Sequence, residues 1–149
     1  ATLHAEHYTE QVWTNQTIRV GYDCLRSCYI VPRGRVFEIQ SIAYKDSNGS
    51  DATVDLNTVR IRRKILETAV EFMPGVVVPQ YTNQGPDSVF LTYKAGYELE
   101  SDVPSDVKLW IMMQAYGAYE HRKTYDEKTL QENPLAIALL HPHRAYWGA

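Results

Sequence analysis

The sequence predicts an α+β fold: a small antiparallel β-sheet or barrel-like domain, followed by a long C-terminal helix, a short terminal helix and an extended tail. Three observations carry that prediction. Before residue 103, hydrophobic residues recur at every second position in short runs, the period of half-buried strands. Turn-forming pairs separate the runs, Asn48-Gly49 foremost. From Val103 onward the period lengthens to that of a helix, with apolar residues nearly all round it. Residues 1–102 therefore make a strand-rich part and residues 103–149 a helical part with its tail, within one compact domain. At 149 residues the chain suffices for one such domain, which buries about 68–70% of its unfolded surface.

Strands are expected over residues 12–20, 36–44, 53–61, 68–72, 76–78 and 89–95. In the last, Val89, Leu91, Tyr93 and Ala95 alternate with Phe90, Thr92 and Lys94, which marks one buried face. Phe37, Ile39 and Ala43 alternate with Glu38, Gln40 and Ile42 in the same way. Asp46-Ser47-Asn48-Gly49 reads as a hairpin turn, because Asn-Gly tolerates the positive φ that tight turns need. Pro32-Arg33-Gly34, Met73-Pro74-Gly75 and Gln84-Gly85-Pro86 punctuate the rest.

Pro104 suits the first helical position, and Asp106 favours the positive end of the helix dipole. Val107, Trp110, Ile111 and Ala118 mark one face; Leu109, Met112, Met113 and Tyr116 mark another. One sheet cannot cover both, so a second surface is required. His121, Arg122 and Lys123 complement the helix C-terminus. A polar link over residues 124–133 leads to Pro134 and a short helix through Leu140.

Composition excludes several classes. A net charge of −3 and a pI near 5.9 supply no basic field for gripping nucleic acid. Cys24 and Cys28 are too few for a disulfide framework or a metal quartet and read as reduced thiols. Neither a signal peptide nor an apolar run long enough to span a membrane is visible, so the chain is expected to be soluble and cytoplasmic at synthesis, with no membrane partner and idle sequons at Asn15 and Asn48. Eleven tyrosines and three tryptophans instead suggest wide amphipathic contact surfaces.

Catalytic chemistry finds no support. Nucleophile elbow, phosphate loop, His-Glu-x-x-His and Cys-x-x-Cys are all missing, so no catalytic, cofactor-binding or metal residue is assigned. His141-Pro142-His143 is the best metal candidate, but further ligands would have to come from elsewhere, and two surface or interface histidines are the preferred reading. His4 and His7 fit a frayed N-terminal turn. Arg60, Arg62, Arg63 and Lys64 read as the charged outer face of a strand that blunts an exposed edge, in preference to a nucleic-acid patch. Tyr146 and Trp147 are too sparse for base stacking and read as an aromatic anchor into a neighbouring protein.

Three blocks resemble the tailed-phage head–tail connector (adaptor) proteins, in that family's order. The first is Val31-Pro-Arg-Gly-Arg-Val36 with Ile39-Gln-Ser-Ile-Ala-Tyr-Lys-Asp46 and Gly49, similar to its proline-led strand and Tyr-x-Asp-x-x-Gly hairpin. The second is Val89-Phe-Leu-Thr-Tyr-Lys-Ala-Gly-Tyr97, similar to a strand ending in Tyr-x-Ala-Gly-Tyr. The third runs from Val103-Pro-Ser-Asp-Val-Lys108 through Tyr119-Glu-His-Arg122 to Pro134 and Leu139-Leu-His-Pro-His-Arg144; it resembles the family's final helix, short terminal helix and Pro-Tyr-Arg, with His143 where Tyr is usual. His4-Ala-Glu-His-Tyr8 resembles only the end of the last of the family's additional N-terminal helices.

The resemblance implies a non-enzymatic homo-oligomeric ring of about twelve copies. It would sit in the virion neck beneath the portal protein, extend the DNA channel and meet a downstream neck or tail protein. Val107, Trp110, Ile111, Met113 and Tyr116 are the candidate ring and core contacts; Arg144, Tyr146 and Trp147 are the candidate portal contacts. The alternatives are a head-closure or tail-terminator protein, or a small ligand- or carbohydrate-binding β-domain that would use exposed tyrosines as a stacking platform.

Overall fold

A computed structural model of the chain describes residues 1–63, 68–79, 85–120 and 134–144, with side chains of the last stretch from Ala136. Lys64, Gln84, His121, Arg122, Lys123, the link 124–133, Tyr146 and Trp147 lie outside the described residues.

The period-2 pattern forms two antiparallel sheets. Strands β1 (Gln16–Tyr22), β3 (Val36–Lys45), β4 (Asp51–Thr53) and β7 (Val89–Ala95) make one, in the order β1-β7-β3-β4. Strands β2 (Cys28–Val31), β5 (Val59–Arg63) and β6 (Thr68–Phe72) make the other, in the order β2-β6-β5. The fold is α+β as expected, with two open sheets in place of a closed barrel. Helices α1 (Thr2–Thr9), α2 (Ser105–Glu120) and α3 (Pro134–Leu140) complete it. Pro104 stands one residue before the first helical position, and its carbonyl accepts from Lys108 N–H at 3.1 Å.

One apolar core draws on both sheets. β7 contributes Val89, Leu91, Tyr93 and Ala95, all fully buried, as the alternation predicts. Val36 and Ile42 on β3, Tyr29 and Val31 on β2, and Val70 on β6 join them. Each large side chain of this set stabilises the fold by about 1.5–3 kcal/mol through removal from water. Tyr93 donates its hydroxyl to the Pro32 carbonyl at 2.8 Å and so links the central strand to the β2–β3 connection. Burial pushes its phenol pKa up, which keeps the donor protonated.

β3 departs from simple alternation. Two irregularities, between Val36 and Glu38 and between Ile39 and Ser41, each insert an extra residue against β7. Each insertion switches the inward face, so Val36, Ile39 and Ile42 line the core at a spacing of three. The expected Phe37/Ile39/Ala43 face is corrected accordingly: Ile42 is fully buried, and Phe37 and Ala43 are half-buried.

The expected strand at residues 53–61 is divided: β4 ends at Thr53, a 3-10 turn covers Leu56–Thr58, and β5 follows. Asp55 makes the break, its carboxylate accepting from Asn57 N–H at 3.0 Å. The expected strand at 76–78 is absent; Val76, Val77 and Val78 have no strand partner among the described residues. β5 is an edge strand, and Arg60 and Arg62 share the Glu71 carboxylate at 2.6 and 3.1 Å, in line with the charged-edge reading. The Asp46–Gly49 turn closes the β3–β4 hairpin, with Gly49 at φ 81° and Asp46 Oδ1 accepting from Asn48 and Ser50 N–H.

Gly96 explains the glycine after β7. Its φ is 102°, and a Cβ there would stand 2.2 Å from the Thr14 carbonyl oxygen. The close approach lets Thr14 bridge to Tyr97 and brings the segment before β1 against the segment after β7. Gly96→Ala should therefore destabilise by about 1–3 kcal/mol beyond Gly75→Ala in urea titrations, since Gly75 has similar φ (87°) but open space around it. Equal losses at the two positions would show that conformation alone, without the contact, sets the requirement.

Candidate interaction surface

Among the described residues, helix α2 packs against its own subunit on one face. Val107 and Trp110 are buried against Ala5 of α1, Trp13, and Ala136 and Leu140 of α3, with Ile111 half-buried beside them. The His4 ring stands edge-on to Trp110 at 5.5 Å. The other face carries Leu109, Met112, Met113, Tyr116 and Tyr119, between 37% and 66% exposed. Their spacing of three to four residues aligns them in one stripe. A contiguous apolar stripe rimmed by polar residues is a mark of an interaction surface.

The five candidate helix residues therefore divide. Val107 and Trp110 belong to the subunit's own core, Ile111 stands at its margin, and Met113 and Tyr116 face outward. The Leu109/Met112/Met113/Tyr116 face read from periodicity is the exposed one, whereas Ala118 of the other set is also exposed.

A polar clasp holds the end of the described chain. After α3, a 3-10 turn (His141–His143) brings His143 Nε2 to 2.6 Å from Asp106 Oδ2 in the first turn of α2. An ionised carboxylate only accepts, so Nε2 carries the proton. Gln11 donates its amide to the His143 carbonyl at 2.6 Å, and the Trp13 ring stands edge-on to the imidazole at 5.6 Å. Burial alone would raise the Asp106 carboxyl; hydrogen bonds from His143 and from the Asp106 and Val107 backbone, with the His143 charge, outweigh it and hold the group below its usual range. His143 is thus a structural contact, His141 is exposed, and no group of three metal-ligating side chains occurs among the described residues. Arg144, a candidate portal contact, places its guanidinium 5.6 Å from the centre of its own subunit's Tyr8 ring.

Beside α2 lies a groove of about 480 Å³. Trp13, Tyr97, Val103, Ile111 and Met112 line it, and Glu98 and Glu100 edge it. Trp13 and Tyr97 stack at 6.0 Å and 15°, and the Arg35 guanidinium sits 4.8 Å from the centre of the Tyr97 ring. Met112 belongs to both groove and stripe, so the two form one continuous apolar surface. Sequence reasoning missed Trp13, Gln11 and the Asp106–His143 pair. Asp106 carried only a helix-dipole signal, and its partner lies 37 positions away.

Two outcomes follow. Asp106→Asn should lower stability near neutrality by about 0.5–1.5 kcal/mol, the range of one hydrogen bond. A depressed folded pKa stabilises above the unfolded value of about 3.9 and ceases to as pH falls through the folded value. The gap between Asp106→Asn and the parent should therefore close in acid melts below about pH 4, and a pH-independent gap would exclude the charge. Among the described residues, Trp110 buries its indole N–H without an acceptor, an arrangement that costs about 1–3 kcal/mol. Trp110→Phe should accordingly stay within about 1 kcal/mol of the parent, whereas Trp110→Ala should lose about 3–5 kcal/mol in the same titration.

No protein-family model matches the chain, and neither does any curated protein sequence. Solved structures do match its fold. A chain in the virion of a native gene transfer agent (GTA) particle superposes with a TM-score of 0.76 at 18% identity, over 99% of this chain and 74% of that one. A chain in the neck of the native GTA particle computed with C12 symmetry gives 0.76 and 18% over 99% and 79%, and one in the neck of the empty particle computed with C6 symmetry gives the same score and identity over 99% and 74%. The chain has the fold of proteins found in the virion and neck of a gene transfer agent particle.

Proposed function

We propose that this chain is a structural head–tail connector subunit of a tailed bacteriophage or phage-like particle. About twelve copies form a ring that joins the portal to the neck or tail and extends the DNA channel. The observation that carries the reading is the fold match across 99% of the chain to a neck assembly computed with twelve-fold symmetry. The three sequence blocks and the uncovered α2 stripe support it. Val107 and Trp110 hold the helix to its own subunit, with Ile111 at the edge; Met113 and Tyr116 serve the ring. Arg144, Tyr146 and Trp147 serve the portal.

The chemistry suits a passive conduit. Each subunit carries a formal charge of −3, so a ring of copies repels phosphate and lets the genome slide through. The subunit works in the virion neck after assembly in the host cytoplasm, and it needs neither a cofactor nor a catalytic group. Binding to isolated portal rings tests the reading. Cosedimentation of the purified chain with the cognate portal, and a ring beneath it by cryo-EM, is the expected result. Binding to a completed neck but not to the bare portal would assign the chain to head closure or tail termination instead.

A further inference from the structure

Resting on the ring reading, the molecule carries two unlike surfaces that suit a head-to-tail contact. A ring built from such a contact must present a different patch on each side of every subunit. One patch is the groove beside α2, where Trp13, Tyr97, Ile111 and Met112 are apolar and Glu98 and Glu100 stand exposed at the edge. Two nearby cations are engaged within the subunit: Lys108 turns its ammonium to the Ser101 carbonyl at 3.2 Å, and Arg35 stands over the Tyr97 ring at 4.8 Å.

The other patch is the corner after β6. Met73 accepts from Val76 N–H at 3.2 Å across Pro74-Gly75, with Gly75 at φ 87°, the requirement of a type II turn. The turn pushes Val77 into solvent, where it is 86% exposed. Pro74 and Pro79 bracket the segment and limit the conformational entropy it loses on docking. Met73, also exposed, is tied through its N–H to the Thr58 carbonyl at 2.8 Å, next to β5. There Arg60 and Arg62 share the Glu71 carboxylate, two cations to one anion among the described residues of the corner. An apolar knob beside this positive charge complements an apolar groove edged by two carboxylates.

We infer that the groove beside α2 in one subunit receives the Met73–Val77 corner of the next copy of this chain, with Arg60 and Arg62 facing Glu98 and Glu100. Val77→Asp disables the knob and Met112→Asp the groove; both positions are exposed, and unchanged melting curves verify that the variants fold. Each variant alone should self-associate about 30-fold or more weakly than the parent in sedimentation velocity, the effect of losing an interface hot spot. Mixed in equal amounts, the two should form a heterodimer and stop there, because Val77→Asp keeps an intact groove and Met112→Asp an intact knob. Reversing Glu98 and Glu100 to Arg should weaken association, and reversing Arg60 and Arg62 to Glu in the same chain should restore it. Variants that associate like the parent, or a mixture that stays monomeric, overturn the assignment of surfaces while leaving the ring reading in place. A parent chain that remains monomeric both free and on the portal overturns the ring reading, and this inference with it.

Discussion

The structure depends on one strand. β7 lies between β1 and β3 in the larger sheet, and its four inward side chains stand at the centre of the core shared by both sheets. Tyr93 binds the Pro32 carbonyl from that position and so ties the strand to the connection that enters β3. Directly after it, Gly96 admits the Thr14 carbonyl at a distance no side chain would permit. That contact sets Tyr97 against Trp13, and Trp13 in turn forms part of the wall on which α2 packs. The sheet core and the helical cluster are thus joined through this backbone approach.

α2 shows how one helix serves two purposes. Its inner face is held by apolar packing and, at its first turn, by the Asp106–His143 pair that anchors the chain after α3. Its outer face keeps large apolar side chains in water, an arrangement that solubility disfavours unless another surface covers them. Groove and stripe share Met112, so the structure offers one continuous surface in place of scattered exposed residues. The division of Val107 and Trp110 from Met113 and Tyr116 follows from helical geometry, yet only the packing of α1 and α3 decides which side is the inner one.

Legibility in the sequence tracked how local each feature is. β7 was readable to the residue because its alternation is uninterrupted, whereas β6, bounded as expected, buries Thr68, Ala69 and Val70 in a row. β3 was readable as a strand but not in its facing, since two bulges shift the inward face and a bulge is a property of the pair of strands. Val76–Val78 has strong strand propensity, but propensity is a preference for a pleated, paired surface, and after the turn at Pro74-Gly75 the segment has no strand partner among the described residues. β2 went unnoticed because four residues, Cys28 to Val31, make too short a run to show a period.

The sequence by itself determined the fold class, the position of the long helix, the Asp46–Gly49 hairpin and the presence of two apolar faces on α2. These features are set by residues within a few positions of one another, through backbone preference and hydrophobic period. The tertiary structure alone decided which α2 face is covered, that Asp106 meets His143, and that an apolar groove opens beside Trp13 and Tyr97. Those contacts join residues tens of positions apart, and the pairing of β1 and β3 with β7 and the packing of the helices select them from many partners of equal chemistry.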